Sequence, residues 1–178
     1  LTSMALAVGV IRLAQNNTLV QELYCIEMLA RVDTLCLDKT GTITDGTMTV
    51  KSIIEYKNDT GLNLKNIISA MLNAQADSNL TSDALAERFG TAKRIRHKNL
   101  IPFSSSRKYS AVQFDRYGTY ILGAPEFVIK DDFSKIEKEV NKQAIEGYRV
   151  LVVAHTDSEI IDNEIKGKSE PLALIMIE

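Results

Sequence analysis

The 178 residues predict a mixed α/β chain, with a strand of the open α/β kind near its start and an antiparallel hairpin among helices further on. Three observations predict it. Val32, Leu35, Cys36 and Leu37 form an apolar, partly β-branched run that ends at Asp38 and reads as a buried strand delivering one acid to its C-terminal edge, where open α/β sheets bind ligands. Strands at 109–114 and 119–123 flank the turn Arg116-Tyr117-Gly118. Leu64, Ile67, Ile68, Met71 and Leu72 recur at the three- and four-residue spacing of a helix.

Composition bounds the classes open to the chain. An apolar content of 45% with three prolines predicts a packed core, and 21 basic against 23 acidic residues leave a net charge of -2. Neither sign forms a block of the kind that binds nucleic acid or an anionic membrane surface, so nucleic acid is not an expected partner. Cys25 and Cys36 lack the paired spacing of a zinc set and read as reduced, cytosolic core cysteines. The apolar opening 1–10 is shorter than the run needed to cross about 30 Å of hydrocarbon.

Taken in order, Leu6, Val10 and Leu13 with Ala5, Ala7 and Ala14 suit a first helix, and Leu19, Leu23, Ile26 and Ala30 suit a second over 19–30. After the run 32–37 comes Asp38-Lys39-Thr40-Gly41-Thr42-Ile43-Thr44, a carboxylate followed at once by hydroxylated residues and a glycine. Taken alone, that pattern also fits an aspartate capping a turn. Asp45-Gly46 makes a turn, and 47–56 is β-rich. Asn58-Asp59-Thr60-Gly61 is a turn cluster, a helix fills 62–76, and a second short one fits 83–89 with Thr81 or Ser82 as N-cap. Pro125 suits a first helical position, 134–146 a further helix ended by Gly147, and 148–154 and 171–178 apolar strands, with 156–169 a polar loop. His97 and His155 lack ligand spacing and read as surface residues.

The block Asp38-Lys39-Thr40-Gly41-Thr42 resembles the phosphorylation motif of P-type ATPases, ion pumps that cycle through an aspartyl-phosphate. Residues 102–112, Pro-Phe-Ser-Ser-Ser-Arg-Lys-Tyr-Ser-Ala-Val, are similar to an element of that family's nucleotide-binding domain, as are Gly123-Ala124-Pro125-Glu126 and Gly147-Tyr148-Arg149-Val150-Leu151. The resemblance implies a partial Rossmann-like (HAD-type) phosphorylation domain plus an α+β nucleotide-binding domain. It divides the chain into the end of a membrane helix and stalk (1–31), the first part of the phosphorylation domain (32–50), the nucleotide-binding domain (51–157) and a return segment (158–178).

The resemblance also assigns roles. Asp38 would be the nucleophile, since an aspartate can split transfer from ATP into formation and hydrolysis of an acyl phosphate. Lys39 and Thr40 would serve the same loop, and an Asp38 oxygen with the Thr40 carbonyl would hold Mg²⁺. Phe103 offers a face for adenine, Lys108 a point charge, Gly123 a close backbone approach to the nucleotide, and Arg149 a planar fork for phosphate oxygens. Two departures stand out: Leu122 replaces the family's usual pocket lysine, and Ser82 occupies the place of an acid that often contacts the adenine amino group, with Asp83 one position later. The related aspartate-nucleophile phosphatases carry a second aspartate where this chain has Thr40, which disfavours that alternative. A non-catalytic adenine-nucleotide-binding module is the other alternative. The expected partners are ATP, the transported cation, and the remaining phosphorylation domain, actuator domain and membrane helices of a longer chain, this piece lying on the cytoplasmic side of a multi-pass membrane protein. The stalk and nucleotide elements are more similar to calcium- or magnesium-type pumps.

Overall fold

The computed structural model describes residues 2–22, 24–38, 42, 46–75 and 78–178. The chain divides into two units, Leu1–Asp45 and Gly46–Glu178. In the first, α1 (Thr2–Gln15) ends where Asn17 turns to a positive φ of 57° and Thr18 N–H returns to the Leu13 carbonyl at 3.0 Å. Gly9 lets α2 (Cys25–Leu29) close on it, for a Cβ there would stand 2.9 Å from Ile26 Cδ1. The second helix is therefore shorter than the periodicity of 19–30 predicts, and Leu19 is 86% exposed. β-Branched Thr18 and Val20 weaken its start, and a helix of so few residues gains little cooperativity. Among the described residues no helix is long and apolar enough to cross a membrane.

The strand expected over 32–37 does not form: residues 32–38 have no regular structure, and Val32, Leu35 and Leu37 are more than half exposed. A lone extended run gains nothing from its β-propensity without a partner strand to accept its backbone hydrogen bonds, and no strand is present among the described residues of this unit. Cys36 is likewise exposed, not a core cysteine.

The second unit is built on six antiparallel strands: β1 (Val50–Glu55), β2 (His97–Ile101), β3 (Tyr109–Phe114), β4 (Gly118–Gly123), β5 (Arg149–Thr156) and β8 (Glu170–Ile177). Their order across the sheet is β1-β8-β5-β4-β3-β2. Alternation along the strands sends Val112, Phe114, Leu122 and Val153 to one face, under α3 (Leu64–Ala74) and α4 (Leu80–Phe89). Ala111, Ile121, Val152 and Ala154 go to the other, under α5 (Pro125–Ile129) and α6 (Glu137–Ile145). A helical layer thus covers each face.

Local chemistry sets the helix ends. Asn63 Oδ1 accepts from Asn66 N–H at 2.8 Å to start α3. Asn79 caps α4 reciprocally with Ser82, so this helix begins at Leu80, earlier than the hydroxyl-cap expectation: Asn79 is the cap, and Ser82 is the third helical residue answering it. Pro125 occupies the first turn of α5 as expected.

Segment 158–178 contributes three strands to this unit. Asp162 and Asn163, both at positive φ, turn the small hairpin of β6 (Ile160–Ile161) and β7 (Glu164–Ile165) inside the stretch expected to be a loop. The strand expected at 171–178 is present as β8, hydrogen-bonded on one edge to β1 and on the other to β5. Its unbroken Leu172 to Ile177 run is buried because both faces are covered, which is the property of a central strand. His155 is not a surface residue. Its Nε2 lies 2.9 Å from the Tyr117 carbonyl and its ring 5.0 Å from that of Tyr120, beneath the β3–β4 turn where Gly118 has φ 73°.

Candidate nucleotide site and phosphoryl acceptor

In an antiparallel sheet alternate strands start and stop at the same end, and here that end gathers the ends of β2 and β4 and the starts of β3 and β5. A cavity of about 590 Å³ opens there, within the size range of small-molecule sites. Phe103, Lys108, Gly123 and Arg149, the four residues assigned to the nucleotide from sequence, all line it.

Phe103 stands on the β2–β3 loop with half its surface exposed, an aromatic face uncovered at the cavity. The loop is clamped from both sides. Lys108 N–H donates to the Ser104 carbonyl at 2.7 Å, its own carbonyl accepts from Ala124 N–H at 3.0 Å, and Arg107 reaches back to the Pro102 carbonyl at 3.0 Å. Lys108 pays with a left-handed φ of 62°, an uncommon conformation for a side chain with a Cβ and one that gathers at ligand sites. Its ammonium has no carboxylate partner among the described residues.

Arg149 opens β5. Its Nη1 rests 3.3 Å from the Thr81 hydroxyl and 3.9 Å from the Met48 sulfur, and no acid pairs with it among the described residues. Two exposed cations without anionic partners therefore face the same cavity. Glu126, in the first turn of α5, also lines it.

Gly123 has a reason for being glycine within the sheet itself. A Cβ there would stand 2.5 Å from the Lys108 carbonyl oxygen and 2.6 Å from Tyr109 Cα, so the close approach is to the neighbouring strand β3. Leu122, where the resemblance expected a lysine, is 8% exposed and packs with the α3/α4 core while lining the cavity. Ser82 lines the cavity too, but it is committed to the α4 cap. The Asp83 carboxylate accepts from the Ser78 hydroxyl at 2.6 Å and lies outside the cavity lining.

Sequence reading missed Gln75, Met48, Glu126 and Leu151 as lining residues, and it quoted Ser110 without giving it a role. A glutamine following the last turn of an apolar helix was the one visible signal. The others take their place from the pairing of distant strands.

In the first unit Asp38 is exposed and enters no ion pair or hydrogen bond among the described residues. Lys39 and Thr40, and with them the second expected Mg²⁺ ligand, lie outside the described residues. No group of three His, Cys, Asp or Glu side chains that could hold a metal occurs among the described residues.

No family model matches the chain. It is 36% identical over 179 aligned residues to the calcium-transporting ATPase CtpE of Mycobacterium bovis, covering all of this chain and 22% of that protein. With the probable cation-transporting ATPase exp7 of Streptococcus pneumoniae serotype 4 it shares 35% identity, again over the whole chain and 22% of the relative. Over its whole length the chain is thus related to one segment of cation-transporting ATPases. It spans about a fifth of the length of these relatives. A solved zinc-transporting PIB-type ATPase in its E2.Pi state superposes on 99% of the chain and 26% of its own, with a TM-score of 0.61 at 20% identity, which establishes a shared fold.

Proposed function

We propose that this chain is the ATP-handling segment of a membrane cation pump, in which the Gly46–Glu178 unit holds ATP and Asp38 accepts its terminal phosphoryl group. The observation that carries the reading is the convergence of Phe103, Lys108 and Arg149 on one cavity of about 590 Å³. Adenine stacks on Phe103, a contact worth about 1–3 kcal/mol in sites that bind bases this way. Lys108 and Arg149, free of carboxylate partners, meet the phosphates. Arg149 must leave Thr81 to do so, a hydrogen bond that a phosphate oxygen replaces with a stronger, charge-assisted one.

At Asp38 the carboxylate oxygen attacks the γ-phosphorus, the bond to the β-bridging oxygen breaks, and ADP leaves with that electron pair. Because ADP leaves as an anion, no general acid is needed at the place of Thr40, and the acyl phosphate persists long enough to be coupled to a conformational change. Mg²⁺ is commonly held by one or two carboxylates with substrate phosphates, a mode that the single exposed Asp38 carboxylate fits, with the Thr40 carbonyl as the second expected ligand. When bound, it would offset charge on the phosphoryl oxygens. Calcium is the first cation to test, since relatives covering the whole chain carry that name.

In the full-length protein, Asp38→Asn is expected to abolish acid-stable phosphate incorporation from γ-labelled ATP while leaving ATP binding in place. Labelling that persists in the variant would remove Asp38 from the role.

A further inference from the structure

We infer that Gln75 reads the edge of the nucleobase, with Ser110 holding its carboxamide, so that the cavity selects a purine with a donor at its 6-position over one with an acceptor there. The inference rests on the reading of this cavity as a nucleotide site.

The cavity wall against the sheet and the α3/α4 layer is apolar, formed by Leu72, Leu85, Leu122 and Leu151. Ser110 interrupts it. It sits on β3, on the same face as Val112 and Phe114, and is 3% exposed. A hydroxyl buried among leucines must be hydrogen-bonded or it costs stability, and its partner is the Gln75 Nε2, which donates to Ser110 Oγ at 2.9 Å. Gln75 is itself fixed as the cap of α3, its N–H bonded to the Met71 carbonyl at 3.2 Å.

With the amide nitrogen given to Ser110, the other end of the carboxamide, Oε1, is a pure acceptor. It receives no hydrogen bond among the described residues. Adenine presents an amino group at its 6-position, whereas guanine and hypoxanthine present an oxygen that meets Oε1 with no proton between them. Sites built to hydrogen-bond one group reject the analogue that leaves the partner unpaired.

The competing polar groups are accounted for. Ser82 and Asn79 bond one another at the α4 cap, and Asp83 bonds Ser78 outside the cavity. Glu126 remains as a rival acceptor, as does the Thr81 hydroxyl once Arg149 leaves it for a phosphate.

The test is titration calorimetry of the 178-residue chain with ATP and with inosine triphosphate, whose base carries a 6-oxo group in place of the 6-amino group and a proton on N1. The unsubstituted chain is expected to prefer ATP about tenfold or more, the size of one hydrogen bond to a neutral group. Gln75→Met is expected to bring the ratio close to unity, Gln75→Glu, which keeps an acceptor, to preserve it, and Ser110→Ala to lower it by freeing the carboxamide. Should Gln75→Met fail to fold, the Gln75→Glu and Ser110→Ala pair decides. An unchanged ratio in folded Gln75→Met, or a ratio lost in Glu126→Gln, overturns the assignment and leaves the nucleotide site standing. Failure of the unsubstituted chain to bind either nucleotide overturns both.

Discussion

Replacing Arg149 with leucine separates phosphate recognition from folding. The guanidinium is exposed, and its contacts among the described residues are a 3.3 Å hydrogen bond to the Thr81 hydroxyl and the approach to Met48 sulfur. Breaking one exposed hydrogen bond should move stability by no more than about 0.5 kcal/mol, in the range of surface substitutions. On ATP the arginine would make charge-assisted hydrogen bonds worth about 1.5–3 kcal/mol, a loss of roughly 10- to 150-fold in affinity. Adenosine offers no phosphate, so its affinity should be unchanged. The assay is calorimetric titration of both ligands against the unsubstituted and Arg149→Leu chains, with urea unfolding as the folding control. ATP affinity should also fall as salt rises, and less steeply in the variant. Equal losses for ATP and adenosine, or none for ATP in a folded variant, would refute the placement of Arg149 at the phosphates.

Three further expectations follow from the same geometry. Phe103→Ala should weaken ATP and adenosine alike, by about 5- to 150-fold for a stacking contact of about 1–3 kcal/mol, measured by the same titrations. Gly123→Ala should destabilise the Gly46–Glu178 unit by about 1–3 kcal/mol, because its methyl meets backbone atoms of Lys108 and Tyr109 that cannot rotate away; urea unfolding reads it. Tyr120 is fully buried, and burial pushes its phenol above the usual value of 10.0. A pKa raised in the folded state means that the stability held below pH 10 is lost as pH rises through the folded pKa. The thermal midpoint should therefore fall more steeply above pH 10 in the unsubstituted chain than in Tyr120→Phe.

The Gly46–Glu178 unit was more legible in the sequence than the Leu1–Asp45 unit. Alternating apolar residues and a turn glycine announce β3 and β4, and Leu64 to Leu72 announce α3, because there local pattern and tertiary burial agree. Phe103, Lys108 and Arg149, which line one cavity, could be singled out because each stands in a local block of recognisable spacing. Gln75 and Met48 were not, since their place in the cavity is set by strands and helices that meet only after folding. The run before Asp38 failed for the opposite reason: its composition is that of a buried strand, but β-propensity expresses packing against neighbours, and none pairs with it among the described residues. Gly123 was noticed as a place where space is required, but the need of β3 for that space was not, because a sequence does not show which strand lies alongside.

The placement of β8 bears on how the molecule is made. β1 is bonded to no other strand of the sheet, and its register pairs Val50 with Ile177. As the chain leaves the ribosome, β1 must therefore wait with an unpaired edge while well over a hundred residues follow. Contacts so distant in sequence are slow to close. The β2–β5 meander can assemble early from neighbours, whereas the sheet becomes continuous only when β8 inserts between β1 and β5. Truncation before Glu170 should accordingly leave a nascent chain with an open edge on both β1 and β5, the surface on which chaperones and misassembled partners act.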